Sequence, residues 1–150
     1  MNDVVLLDTT VYMNVLDIPG RNQHKNEVQE EIKTRFSAHD CFMLPLATVW
    51  ETGAFISRIS GSSRRTYSQD FVDNVTKAIN GELPYKMTSL PDRKELLSWL
   101  NKFPDAAMQG WSFSDLSIVE EYKKACELYR AYRVRIWSFD SHLQGFCNVR

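Results

Sequence analysis

Two apolar runs near opposite ends of the chain each stop at an aspartate: Val4-Val5-Leu6-Leu7 runs into Asp8, and Val134 to Phe139 runs into Asp140. A strand buried on both faces of a parallel sheet reads as a short unbroken apolar run, and open α/β sheets gather their chemistry just beyond the carboxyl ends of the strands. Both aspartates are therefore expected at one rim. Two further acids, Glu51 and Asp115, fall near the starts of intervening helices. Function then turns on whether these four carboxylates converge.

The residues between the two runs set the organisation. Pro19-Gly20-Arg21-Asn22 reads as a loop, followed by a helix from about Glu27 to His39 with Val28, Ile32 and Phe36 as its apolar stripe. A second strand covers Cys41 to Leu44 and ends at Pro45; the next helix is expected to turn Val49, Trp50, Gly53, Ala54 and Ile56 or Ser57 inward. Ser60 to Arg65 connects two helices. Phe71, Val75 and Ile79 mark the second of them, closed by Asn80-Gly81, and Tyr85 to Leu90 reads as a third strand.

Leu96, Leu97, Trp99, Leu100 and Phe103 predict a helix stopped at Pro104. After a loop through Gln109-Gly110, a helix from Ser112 to about Tyr132 presents Val119, Tyr122, Cys126 and Tyr129 on one side. Strands alternating with helices imply an α/β fold: a three-layer α/β/α sandwich around a mostly parallel sheet of four to five strands, one domain over residues 1–150.

Charge and composition narrow the function classes. With 18 Lys and Arg against 19 Asp and Glu, the formal charge is −1, so a nucleic-acid partner would need a local basic patch or a bound metal. No apolar stretch approaches the roughly 20 residues needed to span a bilayer, which points away from a membrane. The amino terminus passes from Met1-Asn2-Asp3 directly into the first apolar run, without the pattern of a signal peptide, and cytoplasmic residence is the expectation. Cys41, Cys126 and Cys147 are odd in number and widely spaced, and read as small reduced hydrophobes.

Each acid has an ordinary structural reading on its own. Asp115 precedes Val119 by four residues and Tyr122 by seven, so it shares their helical face, yet an acid in the first turn after Ser112 or Ser114 also caps a helix. Glu51 also lies near a helix start, and Asp8 before Thr9-Thr10 or Asp140 before Ser141 is good turn chemistry. The combination carries the signal. Two like charges about 5 Å apart repel by roughly 3 kcal/mol at an effective dielectric near 20, so four such groups would not all stay ionised without a cation. All-oxygen ligation suits Mg²⁺ or Mn²⁺ rather than zinc, and the reaction class this predicts is phosphodiester hydrolysis.

The pattern resembles the PIN-domain nucleases, including the toxin ribonucleases of toxin-antitoxin pairs. The matching pieces are Val4-Val5-Leu6-Leu7-Asp8-Thr9-Thr10, Thr48-Val49-Trp50-Glu51, Phe113-Ser114-Asp115-Leu116-Ser117-Ile118 and Trp137-Ser138-Phe139-Asp140, in that order over nearly the whole chain. The resemblance implies a metal site of Asp8, Glu51, Asp115 and Asp140, with Thr9 and Ser138 as supporting hydroxyls and RNA as substrate. It further implies an antitoxin protein as partner and, as in many members of the family, a homodimer. The stretch between Ser60 and Gly110 is longer than in compact members.

Arg58, Arg64 and Arg65 surround the Ser-Gly-Ser-Ser loop, where they either contact RNA phosphates or decorate a solvated tip. Lys123, Lys124, Arg130, Arg133 and Arg135 read as a wet helix face, and the tryptophans and tyrosines as core. His142 follows Asp140 by two, and His24 and His39 sit in polar contexts without an evident partner. Two other functions fit less of the pattern or explain less. A PIN-like domain without catalysis would serve as a protein- or RNA-binding module. An aspartate-nucleophile phosphatase expects an acid where this chain has Thr10, and a receiver domain expects an adjacent acidic pair and a late strand-end lysine.

Overall fold

Every residue from Asp3 to Leu7 is buried, as a strand covered on both faces requires, and this segment is the first strand, β1 (Asp3–Leu7). The other elements follow as α1 (Thr9–Val15), α2 (Lys25–Ser37), β2 (Cys41–Leu44), α3 (Leu46–Ile56), α4 (Ser63–Ile79), β3 (Tyr85–Met87), α5 (Arg93–Met108), α6 (Phe113–Leu128) and β4 (Arg133–Trp137). The computed structural model describes residues 2–148.

The four strands form one sheet in the order β3-β2-β1-β4, and every pairing is parallel. Alternation along β1 sends Val5 and Leu7 to one face, where they meet Val11, Tyr12, Val28, Ile32 and Phe42 from α1, α2 and β2. Val4 and Leu6 go to the other, against Ile118, Val119 and Ala125 of α6. The result is the expected three-layer α/β/α sandwich, with four strands. At roughly 1.5–3 kcal/mol for each fully buried large aliphatic side chain, these two faces dominate the stability of the sheet.

Topology decides where a site can open. The chain moves outward from β1 through β2 to β3, then returns to place β4 on the opposite side of β1. Strand order reverses between β1 and β4, and a crevice is expected outside their carboxyl ends. Asp8 and Ser138 are the residues that immediately follow those two strands.

Several elements depart from the expected pattern. In α3 the buried line is Ala47, Thr48, Thr52 and Ile56, whereas Trp50 is 66% exposed and Ala54 faces solvent. A hydroxyl sets that rotation, because Thr48 Oγ1 donates to the Leu7 carbonyl at 2.7 Å in a buried hydrogen bond. Phe36 and Ile79, in the last turns of α2 and α4, are exposed; in α4 it is Ala78 that faces the core.

In α5, Trp99 is the buried anchor while Leu96, Leu97 and Leu100 are exposed. The helix continues through Pro104 to Met108. The missing Pro104 amide strands only the carbonyl of exposed Leu100, which solvent can satisfy, and the extra turn buries Ala106.

Smaller differences concern the ends of elements. Residues Thr9–Val15 form α1, a helix the apolar pattern does not reveal. β3 ends at Met87, β4 ends at Trp137, and α6 ends at Leu128. Ser138-Phe139-Asp140 therefore belongs to the loop beyond the sheet. Cys41 is exposed rather than packed, and all three thiols are free. No helix among the described residues is long and apolar enough to cross a membrane.

Candidate functional site

Parallel pairing brings the two strand ends together in register. Leu7 lies opposite Trp137, and the Asp8 amide donates to the Trp137 carbonyl at 3.1 Å. Ser138 Oγ then donates to Asp8 Oδ2 at 2.7 Å, and Thr10 Oγ1 donates to the same oxygen at 2.9 Å. Both hydroxyls are themselves fixed by backbone amides, Phe139 N–H to Thr10 Oγ1 at 2.9 Å and Asp140 N–H to Ser138 Oγ at 2.8 Å. Asp8 is thus held rigidly by one oxygen, while Oδ1 takes no hydrogen bond among the described residues.

Thr10 is the member of this network that sequence reasoning passed over as turn chemistry. The signal available was a second hydroxyl two residues after a strand-terminal acid.

Glu51 reaches the rim from α3. The Thr48 bond to Leu7 docks α3 on the end of β1, and three residues later Glu51 Oε2 accepts the Thr9 hydroxyl at 2.8 Å. Burial raises the Glu51 carboxyl above its ordinary value. The Thr9 and Ser114 hydroxyls favour its charged form, and the charges of Asp8 and Asp115 oppose it. One carboxylate therefore feels both of the others, so Asp8, Glu51 and Asp115 share a single electrostatic neighbourhood.

Asp115 has a structural task as well. The Asp115 amide donates to Ser112 Oγ at 3.0 Å while Asp115 Oδ2 accepts the Ser112 amide at 3.1 Å, a reciprocal capping box that starts α6. Asp140 lies on the same loop as Ser138 but turns Oδ1 into its own turn, where it accepts the His142 amide at 2.9 Å. Among the described residues no lysine or arginine forms an ion pair with any of these four acids.

The donor chemistry at this rim consists of carboxylate and hydroxyl oxygens, which suits a hard divalent cation. Among the described residues no three His, Cys, Asp or Glu side chains gather tightly enough to enclose an ion. Mg²⁺ does not need such a cage, since it keeps several waters and binds through one or two carboxylates. Asp8 Oδ1 and Glu51 are the groups that would supply that smaller set, with the negative charge of Asp115 acting on Glu51.

Of the basic residues, Arg58, Arg64 and Arg65 are exposed, and Arg64 and Arg65 line an open groove of about 630 Å³ with Ser57, Ser62 and Ser68. The late basic run divides: Lys123 pairs with buried Glu120 and Lys124 with Glu95, whereas Arg133 and Arg135 surround buried Asp3. His24 does have partners, stacking on Phe139 with ring centroids 4.3 Å apart and lying 3.2 Å from Glu27. The chain matches no protein-family profile, no curated protein and no solved structure.

Proposed function

We propose that this protein is an endoribonuclease that hydrolyses RNA phosphodiester bonds with Mg²⁺ or Mn²⁺ at the Asp8, Glu51 and Asp115 rim. The observation that carries the reading is Glu51. It is half-buried, bonded to Thr9, and burdened by the charges of Asp8 and Asp115 with no cationic side chain paired to any of them. A divalent ion bound there supplies the missing positive charge and the Lewis acidity that phosphodiester hydrolysis needs.

The chain's own residues do the remaining work. Thr10 and Ser138 lock Asp8 through Oδ2, so that Oδ1 is presented without conformational search. Glu51 is fixed through Oε2 by the Thr9 hydroxyl, which leaves its other oxygen to join Asp8 Oδ1 in holding the ion. Arg64 and Arg65 contribute non-specific contacts to RNA phosphates from the groove they line. Asp140 belongs to this reading as a supporting acid that orders the loop. In the full proposal the enzyme is a cytoplasmic toxin of the PIN type, restrained by an antitoxin and assembled as a homodimer.

Purified protein incubated with RNA and Mn²⁺ should produce cleavage that chelation abolishes, and Asp8→Asn and Asp115→Asn should each remove most of it. Equal cleavage by the variants would end the proposal. A second reading draws on the capping box: Asp115 is engaged as a structural group, as expected of a PIN-like module that binds protein or RNA without cutting it. Millimolar Mn²⁺ producing no heat in calorimetry would favour that alternative.

A further inference from the structure

Trp50 is an exposed indole that the core of α3 does not use, and it precedes Glu51 by a single residue. One helical step is about 100°, so the same turn of α3 carries the Glu51 carboxylate to Thr9 and presents the Trp50 ring in another direction. That direction is an open cleft of about 740 Å³, where residues at the carboxyl ends of β2 and β3 meet the last turns of α4. Its lining is apolar at Leu46, Val49, Ala78 and Met87, whereas Asn80 and Ser89 are exposed. Lys86 is the one charged side chain in the lining; it is exposed and forms no ion pair among the described residues. No acid lines the cleft, although Glu51 follows Trp50 directly.

An open aromatic face, an apolar slot and a single free cation select their guest together. A cation would meet Lys86 and no acid, and an apolar peptide would cover the indole but leave Lys86 without an anion. A nucleotide answers both, since every base has a face that stacks on an aromatic ring and carries a phosphate beside it. We propose that this cleft is a subsite for one unpaired base of an RNA strand, stacked on Trp50 with an adjoining phosphate at Lys86, and that it restricts the rim at Glu51 to single-stranded segments. A base inside a duplex has both faces occupied by its neighbours and cannot offer one to Trp50. The subsite rests on the reading of the Asp8 and Glu51 rim as an RNA site, and it assigns the exposed indole beside that rim a task in substrate choice.

With a chelator present to prevent cleavage, a short adenine-rich RNA strand titrated into the full chain should shift the Trp50 indole N–H signal in NMR, and it should bind more tightly than the same strand annealed to its complement. Trp50→Ala should weaken single-strand binding about fivefold or more. Trp50→Leu keeps an apolar side chain but no ring face and should weaken it as much, whereas Trp50→Phe should restore most of the affinity. Lys86→Ala should weaken binding and reduce the slope of log affinity against log salt by about one. Unchanged affinity in Trp50→Ala or Trp50→Leu, a duplex bound as tightly as the single strand, or an indole signal that RNA does not move would overturn the subsite and leave a cleft fitted to a protein. Binding is read here without chemistry, so the two readings fail separately. RNA held on Trp50 by a protein that never cleaves would end the nuclease and keep the subsite, and cleavage by a protein whose RNA binding ignores Trp50 would do the reverse.

Discussion

The two ends of the same parallel strands treat their buried acids in opposite ways. At the amino end, Asp3 is 3% exposed and lies among Arg35, Arg133 and Arg135, with Glu31 and Asp40 completing a balanced network. At the carboxyl end, Asp8 is 7% exposed and has only the hydroxyls of Thr10 and Ser138. Burial is nearly equal; the countercharge is not. An acid neutralised by arginines within its own fold is a structural element, whereas under the proposed function an acid held by neutral hydroxyls is where an ion from outside would bind.

The sharpest way to break this contrast is to neutralise one acid at each end. Asp8→Asn should lower RNA cleavage by about 100-fold or more, a loss near 3 kcal/mol of transition-state stabilisation, with a melting temperature no lower than that of the parent. Asp3→Asn should leave cleavage intact per folded molecule. It should destabilise the fold by about 1–3 kcal/mol in denaturant titration, because it takes a carboxylate from largely buried Arg135, while Arg133 is half exposed and loses less. The reverse outcome, activity lost with Asp3 and stability lost with Asp8, would exchange the roles of the two ends.

Glu121 offers a comparison of similar size within the carboxyl half of the molecule. Its proton affinity is raised in the folded state, so its contribution to stability is present below the ordinary carboxylate range and fades as pH climbs to about 7. Glu121→Gln should remove that dependence. Relative to the parent it should gain ~3 kcal/mol between pH 4 and pH 8, read from unfolding free energies across the range.

Thr48→Val tests the docking of α3. Loss of the 2.7 Å bond leaves the Leu7 carbonyl without this donor, and a destabilisation of about 1–3 kcal/mol is expected, together with reduced cleavage as Glu51 drifts from Thr9. The smallest effect belongs to the groove. Arg65→Ala should weaken RNA binding only a few-fold and reduce the slope of log affinity against log salt by about one.

The sheet was legible because its signals are local and additive. Uninterrupted apolar runs such as Val4 to Leu7 have no stable place outside a doubly covered strand, and alternating elements leave few topologies. Asp8, Glu51 and Asp115 could be nominated from their positions after a strand and near helix starts. Their effect on one another depends on the tertiary fold, and so does the turning of Asp140 into its own loop.

What stayed hidden has a common cause. The rotation of α3 is set by one Thr48 hydroxyl reaching across to Leu7, which outweighs the apolar spacing that would have turned Trp50 inward. Thr10 gains its role from a partner 128 residues away, Ser138, and Glu121 becomes unusual only because α5 and the loop after β3 close over it. Long-range polar contacts leave almost no periodic trace in a sequence.

The central claim, that the carboxyl-end acids carry a charge meant for a divalent ion, can be read directly at Glu51. Its side-chain carboxyl should be titrated by carbon-13 NMR with and without saturating Mg²⁺. A raised proton affinity is expected without metal; it should fall back to or below the ordinary glutamate range when Mg²⁺ is present, and Asp8→Asn should lower it without metal and abolish the response to Mg²⁺. A Glu51 titration that Mg²⁺ leaves unmoved would contradict the account.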